Sequence, residues 1–158
     1  MFTHRSLMGE DLRWIASFPQ SADELFYVSP RFHYPLTPDQ IMKLLEYRRL
    51  PTVVIDAATG HTAGYANLYD CQETSCWLGN VIVSPRYRGQ GAAEVLLKTM
   101  MHKAKSELHM QKLLLSCHQT NARGLAFYHK HGFKPYDMKR IPMENKRDVI
   151  TIQMAIDL

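Results

Sequence analysis

Apolar and polar positions change rhythm along the chain, and each rhythm predicts an element. Phe2 to Leu7 reads as a strand, and Gly9-Glu10-Asp11 opens a helical stretch through Trp14, Ile15 and Phe18. Thr37-Pro38-Asp39-Gln40 is a helix start, with Thr37 as N-cap, Pro38 at the first helical position and Gln40 at the third. Ile41, Leu44, Leu45 and Arg48 then follow at helical spacing. From Thr52 the period changes: Thr52-Val53-Val54-Ile55 is β-branched, Ala58 to His61 is a turn, and Ala63 to Leu68 returns as the second arm of a hairpin. Cys76 to Val83 follows a loop around Cys71 to Thr74. It ends at Ser84-Pro85, because proline cannot donate to a ladder.

Gly91 to Leu108 is the strongest helix, with Val95, Leu96, Thr99, Met100, His102 and Lys103 arranged so that one side is apolar and the other basic. Lys112 to Cys117 is a short apolar strand, and Asn121 to His131 is a helix stopped by Gly132. Phe133 to Arg140 and Asp148 to Ile156 are closing strands, joined by a polar segment containing Pro142 and Asn145. The order β-α-α-β-β-β-α-β-α-β-β predicts an α/β fold. Its centre is a mixed, twisted sheet of about six or seven strands flanked by about four helices. The unit from Cys76 to Cys117 should be a right-handed parallel crossover, which leaves a ligand site at strand ends.

Composition narrows this picture. With 158 residues, 46% hydrophobic and 22% charged, and no repeat or linker, residues 1–158 read as one domain able to bury its own core. No apolar run approaches the ~20 residues of a membrane span. Met1 to Arg5 lacks the apolar stretch of a signal peptide, so a cytoplasmic location and no membrane partner are expected. Cys71, Cys76 and Cys117 are odd in number and sparse, which argues for a reducing compartment. Their spacing offers no zinc knuckle, so no metal is expected. Nineteen basic against fifteen acidic residues give +4, a mild excess that favours an anionic ligand. The basic residues are scattered, and the runs at Lys98 to Lys105 and Lys139 to Arg147 read as solvated faces, so no nucleic-acid partner is expected. A homodimer stays open.

The junction from strand to strong helix carries the first chemistry. In Arg88-Gly89-Gln90-Gly91-Ala92-Ala93 the small residues lie where the helix begins. Glycines there allow close approach of a ligand to backbone N–H groups, which at a helix start have no internal partner and sit at the positive end of the dipole. Several successive amides suit a diphosphate; the same glycines also suit a tight connection with no ligand. The segment is neither a P-loop nor a dinucleotide fingerprint, since Ala93 and Glu94 stand where a third glycine would lie.

Arg88 to Ala93 resembles the acetyl-CoA loop of the GNAT (GCN5-related N-acetyltransferase) family, written Q/R-x-x-G-x-G/A, and Val81 to Tyr87 is similar to that family's strand and its exit. Asn121 to Phe133 resembles its other cofactor motif, N-x-x-A-x-x-x-Y-x-x-x-G-F, with Gly124 in place of the more usual alanine. Together the two motifs cover roughly residues 76 to 134. The resemblance implies acetyl-CoA as co-substrate. It implies that Val81, Ile82 and Val83 pair with its pantetheine arm and that the amides of Arg88, Gly89, Gln90, Gly91, Ala92 and Ala93 hold its pyrophosphate. It also implies that Asn121 hydrogen-bonds the arm and that Tyr128 stands near the sulfur, where a phenol protonates the leaving thiolate. On a helix, Asn121 and Tyr128 share a face about two turns apart.

The reaction so implied is direct transfer of an acetyl group to a primary amine of a small molecule or of a protein or peptide N-terminus. The alternatives are a longer acyl group, such as succinyl, and a non-catalytic acetyl-CoA sensor. The sensor is suggested by a missing base, because the strand before the loop reads Cys76-Trp77-Leu78-Gly79-Asn80 with no acid. Glu73 just before it is a base candidate, Asn80 a candidate for positioning water, and Gly79 a candidate bulge. The acceptor pocket is expected from Ser21 to Tyr34, where Asp23, Glu24, Tyr27, His33 and Tyr34 mix acids and aromatics. The same residues also fit a charged helix face with core aromatics. Cys117-His118 has the residue types of a nucleophile pair, but neighbours on a strand face opposite ways.

Overall fold

The computed structural model describes residues 1–144 and 147–158, so Asn145 of the predicted polar segment lies outside the described residues. The described elements run β1 (Phe2–Ser6), α1 (Asp11–Ala16), α2 (Ala22–Val28), α3 (Pro38–Leu45), β2 (Arg49–Asp56), β3 (Thr62–Gln72) and β4 (Ser75–Val83). After a 3-10 turn at Pro85–Tyr87 come α4 (Ala92–Ser106), β5 (Lys112–His118), α5 (Ala122–Lys130), β6 (Lys134–Ile141) and β7 (Val149–Asp157).

The strands form a seven-stranded sheet in the order β1-β2-β3-β4-β5-β7-β6. Each neighbouring pair is antiparallel except β4 and β5, which are parallel across the α4 crossover, so the mixed α/β sheet is the predicted one. Alternation along β2 serves both faces at once. Val53 and Ile55 join Leu12, Ile15, Leu25 and Ile41 beneath α1 to α3, while Val54 joins Leu96, Met100, Leu113 and Phe133 beneath α4 and α5. The loop leading into α1 is held by Asp11, whose carboxylate accepts from Arg5 (2.7 and 2.9 Å), Thr62 Oγ1 (2.8 Å) and the Met8 N–H (2.8 Å).

Two departures from expectation bear on function. The first is α2, which makes five α-helices among the described residues where about four were expected. Ser21 caps it, accepting from the Glu24 N–H at 3.2 Å, so Ser21-x-x-Glu24 is the local start signal. The second is the hairpin of β3 and β4, which runs on to Gln72 and Ser75 in place of a loop at Cys71 to Thr74. Glu73, at φ +48°, therefore sits in the turn at the hairpin tip. Seven residues of extended strand place it roughly 20 Å from Asn80.

Candidate active site

The site begins with a break in the sheet. Between Tyr65↔Ile82 and Asn67↔Gly79, β3 advances two residues while β4 advances three, so β4 bulges at Asn80, next to Gly79. Asn80 takes φ +54° there. Both ends of its amide are engaged: Nδ2 donates to the Val28 carbonyl (3.3 Å) and Oδ1 accepts from Asn67 Nδ2 (2.8 Å), which ties the end of α2 to the bulge. On the other side, β4 pairs with β5 only from Ser75↔Lys112 to Trp77↔Leu114. Beyond Trp77 the two strands part. The backbone of β4 from Leu78 to Val83 is left as an open edge, the arrangement that accepts an extended, amide-bearing arm.

A cleft of about 920 Å³ opens at this gap. It is lined by Val81, Ile82 and Val83 of β4, by Arg88, Gly89, Gly91 and Ala93 of the loop, and by Asn121 and Tyr128 of α5. Gln90 and Ala92 belong to the same loop but do not line it. The Gln90 amide donates to the Arg86 carbonyl (2.9 Å), and Ala92 is 1% exposed, packed in the core. The starts of α2, α3 and α5 are closed by side chains, with Ser21, Thr37 and Asn121 each accepting an N–H of its own first turn, while α1 begins at Glu10 with no side-chain cap. At the start of α4, Gly91, at φ +93°, offers no capping side chain either, and this start, unlike that of α1, faces the cleft. Its first amides are left for a ligand. A Cβ built at Gly89 (φ +74°) or Gly91 would meet nothing within 4 Å. The loop is thus an open cradle of N–H groups at a helix start, which fits a pyrophosphate. The Tyr87 hydroxyl, donating to Asp56 Oδ2 (2.9 Å), anchors the preceding turn to the β2–β3 hairpin.

At the far wall, Asn121 Oδ1 accepts from the Gly124 N–H at 3.0 Å. A Cβ at Gly124 would stand 2.5 Å from Asn121 Nδ2, so glycine at this place leaves room for the Asn121 side chain. Tyr128 packs edge-on against Phe127 and Phe133, with ring centroids 5.4 and 5.8 Å away. Burial, then the neighbouring Cys117, raises its pKa well above the usual phenol range. It stays a neutral proton donor.

A second cavity, of about 380 Å³, adjoins the first and shares Tyr27, Val28, Leu78, Asn80 and Ser116 with it. Its further walls include Arg31, Arg48, Tyr69, Asp70 and His118. Cys117 lines the large cleft and His118 the small cavity, so the imidazole lies away from the thiol. Burial pushes the Cys117 thiol up to about 11. His118 is held edge-on by Phe26 (4.8 Å) and Tyr27 (5.4 Å), and burial lowers its pKa below the usual 6.5. Of the acceptor candidates read from the sequence, Asp23, Glu24 and Tyr27 line the large cleft, and His33 and Tyr34 line neither space. Glu24 is ion-paired with Arg88, and the Tyr27 hydroxyl meets Thr120 Oγ1 at 3.0 Å. Glu73 lines neither space. Arg48, Tyr69 and His118 as cavity residues were not legible in the sequence, since no motif joins them.

Comparison with known proteins agrees with this architecture. A Vibrio cholerae spermidine N-acetyltransferase, solved with CoA and spermine, superposes with a TM-score of 0.81 at 22% identity, covering 99% of this chain and 95% of that one. The ribosomal-protein-S18-alanine N-acetyltransferase of Escherichia coli gives a TM-score of 0.72 at 24% identity over 99% and 94% of the two chains. A Bacillus subtilis (strain 168) protein, provisionally named [ribosomal protein bS18]-alanine N-acetyltransferase, is 27% identical over 128 residues, which span 80% of this chain and 83% of that protein. The sequence profile of the acetyltransferase (GNAT) family matches residues 14–133. The family match spans most of the chain, including the parted strands, the open helix start and Tyr128: this protein belongs to the acetyltransferase (GNAT) family and is an acetyltransferase.

Proposed function

We propose that the protein moves the acetyl group of acetyl-CoA directly onto a primary amine, with donor and acceptor bound together. The observation that carries this reading is the gap between β4 and β5, where the large cleft and the small cavity share Tyr27, Leu78, Asn80 and Ser116. When bound, acetyl-CoA supplies an acetyl group activated as a thioester. The loop amides of Arg88, Gly89, Gly91 and Ala93, which line the cleft, hold the pyrophosphate, and the open edge at Val81 to Val83 takes the arm, which fixes the acetyl group at the gap. Tyr128 protonates the departing thiolate. His118, whose pKa is lowered by burial, takes the proton that the amine gives up. The protonated, buried Cys117 is a weak nucleophile, and His118 lines the other space, which favours direct transfer over an acetyl-cysteine route.

Among the described residues no helix is long and apolar enough to cross a membrane, and Cys71, Cys76 and Cys117 are free thiols. We place the reaction in the cytoplasm on that basis. Free-thiol release from acetyl-CoA and from succinyl-CoA, measured against amino acids, polyamines, aminoglycosides and peptides, tests the activity. Release is expected with acetyl-CoA and a primary amine. Absence of coenzyme A binding at millimolar concentration contradicts the reading. Tyr128→Phe should lower kcat about 100-fold with coenzyme A affinity unchanged, and an unchanged kcat removes Tyr128 from its role.

A further inference from the structure

The small cavity carries two guanidinium groups with which no carboxylate among the described residues forms an ion pair. Arg48 stands in the turn between α3 and β2, its N–H donating to the Leu45 carbonyl at 3.1 Å. Its guanidinium lies over the Tyr69 ring, 4.0 Å from the centroid. Two of its nitrogens, Nε and Nη1, are buried without a hydrogen-bond partner. Among the described residues no carboxylate forms an ion pair with Arg48 or with Arg31, the second guanidinium on the cavity wall. Asp70, exposed, is the single acid among the described lining residues, against two arginines. A buried cation left unpaired is expensive, and Arg31 adds repulsion to it. An anion in the cavity relieves both.

The position is built, as the packing around Tyr69 shows. A Cβ at Gly79 would stand 2.8 and 2.9 Å from Tyr69 Cδ1 and Cε1 and 2.7 Å from Asn67 Oδ1. Glycine beside the bulge therefore lets the Tyr69 ring lie across β4 and carry the guanidinium into the cavity wall. The acids expected to draw in a cationic amine are on the other side: Asp23 and Glu24 line the donor cleft, and Glu24 is occupied by Arg88.

We propose that the acceptor is a small amine carrying its own carboxylate, of the amino-acid class, and that Arg48, assisted by Arg31, binds that carboxylate while the amine reaches the gap at Asn80 and Ser116. The proposal rests on the acetyltransferase reading of the gap for the fate of the amine, and on the arginines alone for the anion. Guanidinium groups match carboxylates in geometry and hold them with charge-assisted hydrogen bonds. A polyamine, cationic along its length, meets like charge in this cavity, and its volume of about 380 Å³ suits a compact molecule.

The test compares methionine, phenylalanine and glutamate with their α-carboxamides and with spermidine in thiol release, using the whole chain and its Arg48→Met and Arg48→Lys variants. Wild-type protein should favour the free acids over their amides by about tenfold or more in kcat/KM, mainly through KM. Arg48→Met should bring that ratio close to one with KM for acetyl-CoA unchanged, and Arg48→Lys should restore part of it. Turnover of spermidine or the amides in preference to the free acids, or an unchanged ratio in Arg48→Met, overturns the proposal. A binding titration of N-acetylmethionine, followed by NMR, separates the two readings. If no amine releases thiol, the transfer reading fails, and N-acetylmethionine binding to wild type but not to Arg48→Met still upholds the anion site. Equal binding to both, or to neither, refutes it.

Discussion

The proposed donor cleft and the proposed acceptor cavity meet at one gap but are built in different ways. The donor side is mostly backbone: the open edge of β4, two glycines at positive φ and the uncapped start of α4, all between Cys76 and Phe133. The acceptor side is made largely of side chains, from α2 and the residues Ser29 to Arg31 after it, the α3–β2 turn, β3, β4, β5, β6, Met143 and β7. A backbone site binds what every member of a family binds, because its geometry depends on few residue types. A side-chain site is free to change with the acceptor.

Disturbing the donor backbone should have the largest effect on donor affinity. Gly91→Val places a β-branched residue at φ +93° with its side chain at the cleft. Coenzyme A affinity should fall about 100-fold by calorimetry, from backbone strain together with obstruction of the cradle. A fall in acceptor affinity of the same size would show that the two halves are not separable. An effect of equal size, on turnover in place of donor affinity, is expected at His118. Its lowered pKa means that the neutral, proton-accepting form persists below pH 6.5, so the acid limb of kcat should lie below that value. As pH falls through that lowered pKa, the imidazole is protonated and the rate drops. His118→Phe should lower kcat about 100-fold and abolish the limb, leaving coenzyme A affinity unchanged. The smallest effect belongs to an ion pair within the donor cleft. Glu24→Gln frees Arg88 for the donor, and the half-exposed pair should yield a two- to threefold gain in coenzyme A affinity at low salt, about what such a pair is worth.

The same contrast explains what could be read from the chain. Glycine positions, the start of α4 and the Asn121 to Tyr128 spacing are local, so most residues that line the large cleft could be named from the two motifs that resemble those of the GNAT family. The helix α2 had a local signal as well, Ser21-x-x-Glu24, but its turns are short and its apolar face is narrow, with Leu25 as its buried residue. The acceptor side has no such signal. Arg48 falls at the expected helical spacing yet lies beyond the end of α3, and its role depends on Tyr69, which depends on the missing Cβ at Gly79. His118 enters because β5 separates from β4 after Leu114, a tertiary event. His33 is fixed elsewhere, its backbone N–H and carbonyl both bonded to the Gln40 side chain (2.7 and 3.0 Å).

Whether the two halves act on one another directly is decided by initial-velocity patterns over a grid of acetyl-CoA and amino-acid concentrations, combined with the intact mass of protein incubated with acetyl-CoA alone. Direct transfer at the gap predicts intersecting reciprocal plots and protein of unchanged mass. Parallel plots, with an acetyl group recovered on Cys117, would contradict it.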